Sequence, residues 1–293
     1  MSGKILVTGA SGQLGRRVVH HLLESQHIDP ARIIAVTRDP ARLADLAARG
    51  VLVRGGDFQN PASLATAFED AAKVLIISGV DVGQRLAQHK AAVDAAVAAG
   101  VKRLTYTSMP NPEPGNRVLF AGEHYGTEQA IEATGLPYTI YRVSWYQENL
   151  LGSLPQVLAS GQWYTSTGEG RVAHVARDDA AAAIAGGLAT DETGNRTYTL
   201  TGPAALTTAE IAALAGRVLE CNIAVVQLSD EHLAAGMKQA GVPEAYIPLL
   251  VSFEANTRAG GIDIVTNDVA SLSGREPRSM EGFFTANRQA LAG

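Results

Sequence analysis

The sequence predicts an α/β fold, in which helices cover both faces of a parallel β-sheet and a smaller, mostly helical C-terminal domain follows. From residue 4 to about residue 142, short aliphatic runs alternate with longer Ala- and Leu-rich helical patterns, which is typical of βαβ units. After residue 145 this alternation weakens, and glycines and prolines punctuate the chain. Together these observations indicate a doubly wound sheet followed by a different structural unit.

Six strands are predicted in the first part, at residues 4–8, 33–37, 51–54, 74–78, 103–107 and 138–142. All six are largely apolar runs, as expected of strands that are buried on both faces of a parallel sheet. Helices fill the segments between them, and two of these helices are predicted to end at Gly100 and Gly135.

The C-terminal part is predicted to form a small substrate-binding or lid domain. Thr207 and Glu210 form a capping-box pattern before a helix that runs to Leu219, and Ser229 opens another helix. The run at residues 198–201 is typical of a strand, which we expect to return to the main sheet. We therefore predict a first domain at residues 1–149 and a second at 150–293, with a boundary that is not contiguous in sequence.

The amino-acid composition limits the classes of protein to which the chain can belong. The 293 residues are 46% hydrophobic and 18% charged, as in globular proteins. The net charge of -5 and the scattered Lys and Arg residues disfavour nucleic acid as a partner. No apolar stretch approaches the about 20 residues of a membrane span, and no signal-peptide pattern is present, so we expect a cytoplasmic protein without a membrane partner. The oligomeric state is not predicted.

The single cysteine, Cys221, cannot form an intramolecular disulfide, which suits a reducing compartment. We expect its small side chain to be buried. No Cys and His residues have zinc-ligand spacing, so no metal site is predicted.

A Gly-x-x-Gly-x-x-Gly pattern follows the first predicted strand and opens an amphipathic helix, in residues Gly9-Ala10-Ser11-Gly12-Gln13-Leu14-Gly15. This is the context that a dinucleotide-binding turn needs. The early glycines let the backbone turn tightly and approach a pyrophosphate at the positive end of the helix dipole, and Gly15 permits close helix–strand packing. The pattern predicts a Rossmann-type domain; a turn that serves packing alone is the alternative.

The end of the second strand predicts which dinucleotide binds. Sites for NAD(H) usually place an acidic residue there for the ribose 2′-hydroxyl, whereas an Arg pairs with a 2′-phosphate. Arg38 holds this position, and its planar guanidinium suits phosphate, so we predict NADP(H) in preference to NAD(H). The alternative is that Asp39 serves the ribose and Arg38 is a solvated surface charge.

With these features the chain resembles the short-chain dehydrogenase/reductase superfamily, in its atypical NmrA-like branch. More narrowly it is similar to the bacterial NAD(P)H:quinone oxidoreductase type 2 and triphenylmethane dye reductase group. The similarity extends over nearly the full length and is carried by the glycine turn and by the segments Val82-Gly83-Gln84-Arg85 and Arg142-Val143-Ser144-Trp145-Tyr146-Gln147-Glu148-Asn149.

The resemblance implies further cofactor contacts at the carboxyl ends of the strands. They are Asp57 and Phe58 near adenine, Ser78 and Gly79 after the fourth strand, and Arg142, Val143, Ser144, Trp145 and Tyr146 near nicotinamide. Arg171, in the Gly-Glu-Gly-Arg turn, is a further candidate. As alternatives, Asp57 is only a turn residue, Trp145 and Tyr146 are core aromatics, and Arg171 is solvated.

Typical members of the superfamily use a Tyr-x-x-x-Lys pair to protonate the substrate oxygen, and this chain lacks the pair. One alignment places His124 and Glu128 at the two positions, and a shift by one residue places Tyr125 and Gln129 there. A carboxylate raises rather than lowers the pKa of a neighbouring tyrosine, so the usual proton relay is not supported.

Two functional hypotheses remain. In the first, the protein is a reductase that passes hydride from NADPH to a small-molecule acceptor such as a quinone or dye. His124 and Tyr146 then position the substrate or supply a weak proton source, and Ser108 contacts a substrate oxygen. In the second, it is a non-catalytic NADP(H) sensor of the NmrA type that binds a partner protein. The match around Trp145 and Tyr146 favours the reductase.

Overall fold

The computed structural model describes residues 3–291 and contains strands in three sheets. In chain order these strands are β1 (Lys4–Val7), β2 (Ile33–Thr37), β3 (Leu52–Gly55), β4 (Ala71–Ile76), β5 (Arg103–Ser108), β6 (Tyr138–Val143), β7 (Gln162–Thr165), β8 (Arg171–Val172), β9 (Arg196–Leu200), β10 (Leu206–Thr207) and β11 (Ala224–Gln227). The central sheet has seven strands in the order β3-β2-β1-β4-β5-β6-β9, and all its neighbouring pairs are parallel.

The helices are α1 (Gln13–Glu24), α2 (Ala44–Ala48), α3 (Pro61–Ala67), α4 (Arg85–Ala98), α5 (Ala121–Glu132), α6 (Leu150–Ser160), α7 (Arg177–Ala189), α8 (Thr208–Leu219), α9 (Asp230–Gln239), α10 (Ile247–Arg258), α11 (Asp268–Ser273), α12 (Met280–Ala286) and α13 (Arg288–Leu291). Short 3₁₀ helices lie at Pro30–Arg32, Pro40–Leu43 and Gln147–Asn149.

The alternation of strand side chains separates two cores, one on each face of the central sheet. In β1, Ile5 and Val7 pack with α1 and α7, whereas Leu6 packs with α3, α4 and α5. All five residues of β2 are buried, as the apolar runs predict. The doubly wound parallel sheet is therefore confirmed.

A third apolar cluster lies in the C-terminal part and joins α6, α8, α12 and α13 around Leu154, Ile211, Phe283 and Phe284. Two small sheets accompany these helices, with β7 parallel to β11 and β8 antiparallel to β10. The capping box at Thr207 and Glu210 is present at the start of α8.

Strand β9 leaves the C-terminal part and pairs with β6 at the edge of the central sheet, with Ile140 opposite Thr197. The strand expected near residues 198–201 thus lies in the main sheet. Among the described residues, no helix is long and apolar enough to cross a membrane. The expectation that Cys221 is buried is wrong: its thiol is exposed, in the turn that follows the left-handed residue Glu220 at the end of α8.

Candidate active site

The carboxyl ends of β1, β2, β4, β5 and β6 open into one cleft with a volume of about 630 Å³. This is the edge at which open α/β sheets bind ligands. All the site residues expected from the sequence line the cleft except Ala10, Arg142 and Arg171. The strand order places the glycine turn and Arg38 toward one end of the cleft and β4, β5 and β6 toward the other.

The glycine turn is built by close backbone contacts. Gly9 has a φ of +59°, and the Gly12 N–H donates to the Gly9 carbonyl at 2.9 Å. A Cβ atom at Gly15 would lie only 2.4 Å from the Gly9 oxygen, so only glycine lets α1 pack this closely on the turn. Gly12 caps α1 without a side-chain acceptor, which leaves N–H groups of the first turn available to an anion.

Two residues of the turn, Ala10 and Ser11, bind it to β2. The Ala10 N–H donates to the Val36 carbonyl at 3.0 Å, so Ala10 is buried below the cleft, contrary to its expected place in the lining. The Ser11 hydroxyl is 2.8 Å from the Thr37 hydroxyl and does line the cleft.

Arg38 lies at the cleft, and the structure adds a second arginine there, Arg42. Both side chains are exposed, and neither has a hydrogen-bond or ion-pair partner within residues 3–291. The Asp39 carboxylate instead accepts the Ala41 N–H at 3.1 Å as the cap of a 3₁₀ helix, and Asp39 is not part of the lining. The end of β2 therefore presents two cations to the cleft and no free carboxylate.

Residues after β3 and β4 line the middle of the cleft. The Asp57 carboxylate accepts the Gln59 N–H at 3.0 Å, so Asp57 stabilises its own turn as well as facing the cleft. Phe58 packs edge-on against the His89 ring. The backbone N–H groups of Ser78 and Gly79 donate to side chains of the sheet and α4, which fixes this segment.

The end of the cleft formed by β5 and β6 is walled by aromatic rings. Trp145 and Phe120 line it, and Phe253 of α10 packs behind both, at centroid distances of 5.0 and 5.7 Å. The hydroxyl oxygens of Ser108 and Ser144 are buried here without a hydrogen-bond partner among the described residues. These hydroxyls and rings suit a flat ligand that carries oxygen.

Tyr146 lies beside this pocket, and the Arg177 guanidinium covers its ring at 4.6 Å. Burial raises the pKa of Tyr146 to about 12, so its phenol is neutral at pH 7. Both Tyr146 and Arg177 line the cleft, and the Arg177 charge opposes the effect of burial on the pKa of Tyr146 without overcoming it.

His89 is the first of two buried histidines in a hydrogen-bond network below the cleft. The Gly79 N–H donates to His89 Nε2 at 2.9 Å, so Nδ1 carries the proton and donates to the Thr127 hydroxyl at 3.0 Å. Burial, reinforced by the Arg85 charge, lowers the pKa of His89 to about 3. His89 is therefore neutral at pH 7.

His124 is held between Arg85 and Tyr106. Arg85 Nη1 lies 3.2 Å from His124 Nε2, and Tyr106 Oη lies 2.7 Å from Nδ1. Because a guanidinium can only donate, Nε2 is the acceptor and the ring proton is on Nδ1, directed to Tyr106. Burial, together with the Arg85 charge, holds the pKa of His124 well below its usual range. This geometry does not support the expected proton-donor role of His124.

Arg142 and Arg171 lie away from the cleft, contrary to expectation. On β6, Val143 faces the cleft, while Arg142 forms hydrogen-bonded ion pairs with the buried Glu128 and with Glu113, at distances down to 2.6 Å. Arg171 pairs with Glu210 at 3.0 Å in the C-terminal part. In both cases a carboxylate of the chain takes the guanidinium that the resemblance assigned to the cofactor.

Sequence reasoning missed Arg42, Arg85 and Arg177 as cleft residues. Arg85 belongs to a segment that carries the family resemblance, but an arginine at a helix start is usually solvated. Its burial, at 5% exposure, depends on the packing of α4 against α5, which no local pattern reveals. Among the described residues, no group of three or more His, Cys, Asp or Glu side chains is arranged to hold a metal ion.

Comparison with known proteins places the chain among reductases. The model of the NmrA-like family matches residues 1–284. Quinone oxidoreductase 2 of Escherichia coli is 34% identical over 270 residues, which cover 92% of this chain and 93% of that protein. The NAD(P)H azoreductase of Xenophilus azovorans is 27% identical over 98% of this chain and 99% of its own length.

Solved structures agree with these relatives. The E. coli NADPH-dependent quinone oxidoreductase complexed with NADPH superposes with a TM-score of 0.91 at 33% identity, covering 96% of this chain and 99% of that one. The Citrobacter triphenylmethane reductase complexed with NADP(H) gives a TM-score of 0.89 at 32% identity, covering 97% and 100% of the two chains.

Proposed function

The chain belongs to the NmrA-like family, and from this premise we propose that it is an NADPH-dependent reductase of quinone-like or dye-like acceptors. The observation that carries the proposal is a single cleft that joins two unlike ends. One end has the glycine turn with Arg38 and Arg42, which have no partner among residues 3–291, and the other is the aromatic-walled pocket around Trp145. Dinucleotide and acceptor then share one site.

The residues present fit NADPH. The N–H groups at the start of α1 suit its pyrophosphate, and the two guanidinium groups at the end of β2 suit its 2′-phosphate. NAD(H) fits less well, because Asp39 is occupied as a helix cap and does not reach the cleft. When bound, NADPH supplies hydride to the acceptor.

The acceptor end of the cleft acts mainly by positioning. Trp145 and Phe120 hold a flat ring, and the free hydroxyls of Ser108 and Ser144 are available to its oxygens. Glu128 is held by Arg142, and Tyr146 keeps its proton, so no tyrosine–lysine relay forms. Such a site suits acceptors that spread the new charge over a ring, provided the reacting atoms are held about 3–3.5 Å apart.

A nucleotide-sensing regulator is the second candidate function. Its support is a likeness to the negative transcriptional regulator NmrA, with a TM-score of 0.72 at 20% identity, which indicates the fold alone. The relatives named above as reductases are more similar in sequence and match nearly the whole chain. The reductase is therefore the better-supported function.

The proposal extends to the role of the C-terminal part of the chain. We propose that residues 150–293, apart from β9, form a unit that helps to enclose the acceptor, because Phe253 of α10 packs against Trp145 and Phe120.

We also propose a cytoplasmic location, which accords with the exposed Cys221 thiol, since a thiol stays reduced there. The net charge of -5 argues against a nucleic-acid partner.

The test is to mix the purified protein with NADPH and to follow its oxidation with 1,4-benzoquinone and, separately, with cyclohexanone. We expect quinone turnover and little ketone turnover, because a localised alkoxide needs a proton donor that this pocket lacks. NADH in place of NADPH is the control for cofactor choice. Tight NADPH binding without oxidation by any quinone or dye would favour the sensor instead.

A further inference from the structure

Arg85 is a buried cation without an ion pair. Its side chain is 5% exposed and lines the cleft, and it forms no salt bridge with any residue of the described range 3–291. Its Nε atom is buried and has no hydrogen-bond partner there. A buried charge is normally paired, because burial without a partner is strongly unfavourable. The carboxylates of Glu123 and Asp81 act on this charge electrostatically, but neither lies within salt-bridge distance of the guanidinium, so the cleft has room for an anion in direct contact with Arg85.

The contacts of Arg85 hold its guanidinium in place without neutralising it. One N–H group donates to His124 Nε2 at 3.2 Å, and the group covers the Phe120 ring at 4.4 Å. One oxygen of the nearby Glu123 carboxylate accepts the N–H groups of Gly83 and Arg85 at the start of α4, and its other oxygen is buried without a hydrogen-bond partner among the described residues. A neutral imidazole and an aromatic face thus orient the cation and leave its charge available.

The position of Arg85 places this charge at the acceptor end. Phe120 and His124 are its neighbours, and Phe120 packs through Phe253 onto Trp145. The glycine turn and Arg38, which suit the phosphates, follow β1 and β2, toward the other end of the strand order. A cation in this position is suited to contact an acceptor rather than the phosphates of a dinucleotide.

We propose that Arg85 is a catalytic residue that binds the negative charge formed on the acceptor oxygen during reduction, with His124 as its positioning residue. This inference rests on the proposed reductase function. The acceptor gains a hydride, which is two electrons and one proton, and NADPH is oxidised to NADP⁺. A neutral quinone thereby acquires one negative charge, which lies on an oxygen beside the guanidinium.

The remaining proton comes from water. His124 does not supply it, because its one ring proton is directed to Tyr106 and its other nitrogen accepts from Arg85. Arg85 stays protonated throughout, since a guanidinium does not release its proton in proteins. The site thus stabilises an oxyanion by a fixed charge and releases it for protonation by solvent, which suits the weakly basic anion of a hydroquinone.

The test uses 4-nitrophenol as a probe, because its yellow phenolate reports by absorbance which form is bound. The pKa of the bound probe is measured on the wild-type protein and on Arg85→Leu, with NADP⁺ and without nucleotide. We expect the wild type to prefer phenolate over phenol, and the variant to lose about 10- to 100-fold of this preference. We also expect kcat with benzoquinone to fall roughly 100- to 1,000-fold, with NADPH affinity retained.

Arg177→Leu is the matched control, because Arg177 also lines the cleft and also covers an aromatic ring. It should keep the preference for phenolate, and Arg85→Lys should restore part of it. If Arg85→Leu does not bind NADP⁺ or lacks a native circular dichroism spectrum, Arg85→Gln replaces it, since glutamine keeps a polar donor without the charge.

The inference and the proposed function fail in different ways. If the wild type reduces quinones while Arg85→Leu keeps its rate or its phenolate preference, the inference is wrong and the function stands. An equal loss of preference in Arg177→Leu would also overturn it, because the effect would then come from the general charge of the cleft. If the phenolate preference depends on Arg85 but no quinone is reduced, the anion site stands and the proposed function fails.

Discussion

Removing Arg38 or Arg42 should weaken NADPH binding and leave NADH binding nearly unchanged. Both arginines line the cleft at the end of β2, and both lack a partner within the described part of the chain. Arg38→Ala and Arg42→Ala therefore break no internal ion pair and leave no buried charge behind. The loss should report the contact with the 2′-phosphate alone, which NADH does not have.

The size of the effect follows from the exposure of these side chains. A hydrogen bond to a charged group contributes about 1.5–3 kcal/mol, and the lower end applies here because water and salt screen exposed charges. Each single variant should then raise the Kd for NADPH about tenfold, since 1.4 kcal/mol corresponds to a factor of ten. The double variant should lose less than the sum of the two, because both groups act on one phosphate.

Titration calorimetry with NADPH and NADH measures both affinities on the same protein. Arg49→Ala is the control, since Arg49 is also exposed but pairs with Glu24 away from the cleft. Raising the salt concentration should shrink the difference between the two nucleotides. Equal losses for NADPH and NADH, or an unchanged Kd for NADPH in the double variant, would refute the assignment of the 2′-phosphate to this pair.

Three further predictions concern the turn, the acceptor end and the buried network. Gly12→Val should abolish NADPH binding with a native circular dichroism spectrum, because a branched side chain blocks the approach of the pyrophosphate to the backbone; unchanged affinity contradicts this. His124→Phe should lower kcat with benzoquinone no more than about 10²-fold, through loss of Arg85 positioning, whereas loss of all turnover would reveal a dedicated proton donor. Finally, His89 has a folded pKa of about 3, below its unfolded value of 6.5, so the unfolded chain binds more protons as pH falls below that value. Urea unfolding should show about 2 kcal/mol less stability from His89 at about pH 5 than at pH 7, and His89→Gln should flatten this dependence.

The sheet could be predicted from the sequence because its strands are buried on both faces and are therefore apolar throughout, as in β2. The first and last residues of β4 were harder to predict. It was predicted at residues 74–78 but runs from Ala71 to Ile76, since Ala71 pairs with Lys4 and the buried Lys73 side chain binds the carbonyl of Leu188. A lysine inside a sheet depends on a partner 115 residues away, which no local pattern encodes.

Dependence on distant partners also explains why some arginines of the site could be predicted from the sequence and others could not. The position of Arg38 at the cleft was predictable because it follows from its place at the end of a strand. Arg142 and Arg171 were misplaced because carboxylates distant in sequence take their guanidinium groups. Arg85 was overlooked because its burial arises between two helices. The sequence shows where the arginines are, but the tertiary structure determines which group each guanidinium pairs with.

The positions of these arginines matter for the reaction that we propose. Where a tyrosine–lysine pair would bring a cation to the acceptor, the two alignments place Glu128 or Gln129 in the lysine position, and Glu128 is neutralised by Arg142. At the aromatic end of the cleft a buried cation comes instead from α4, as Arg85. A lysine beside a tyrosine supplies both charge and a proton, whereas Arg85 supplies charge alone. An alkoxide is too basic to form readily without a proton, but a hydroquinone anion is not. If Arg85 has the role proposed above, a fixed charge in place of a proton relay favours quinone acceptors, whose reduced anion is stable before protonation.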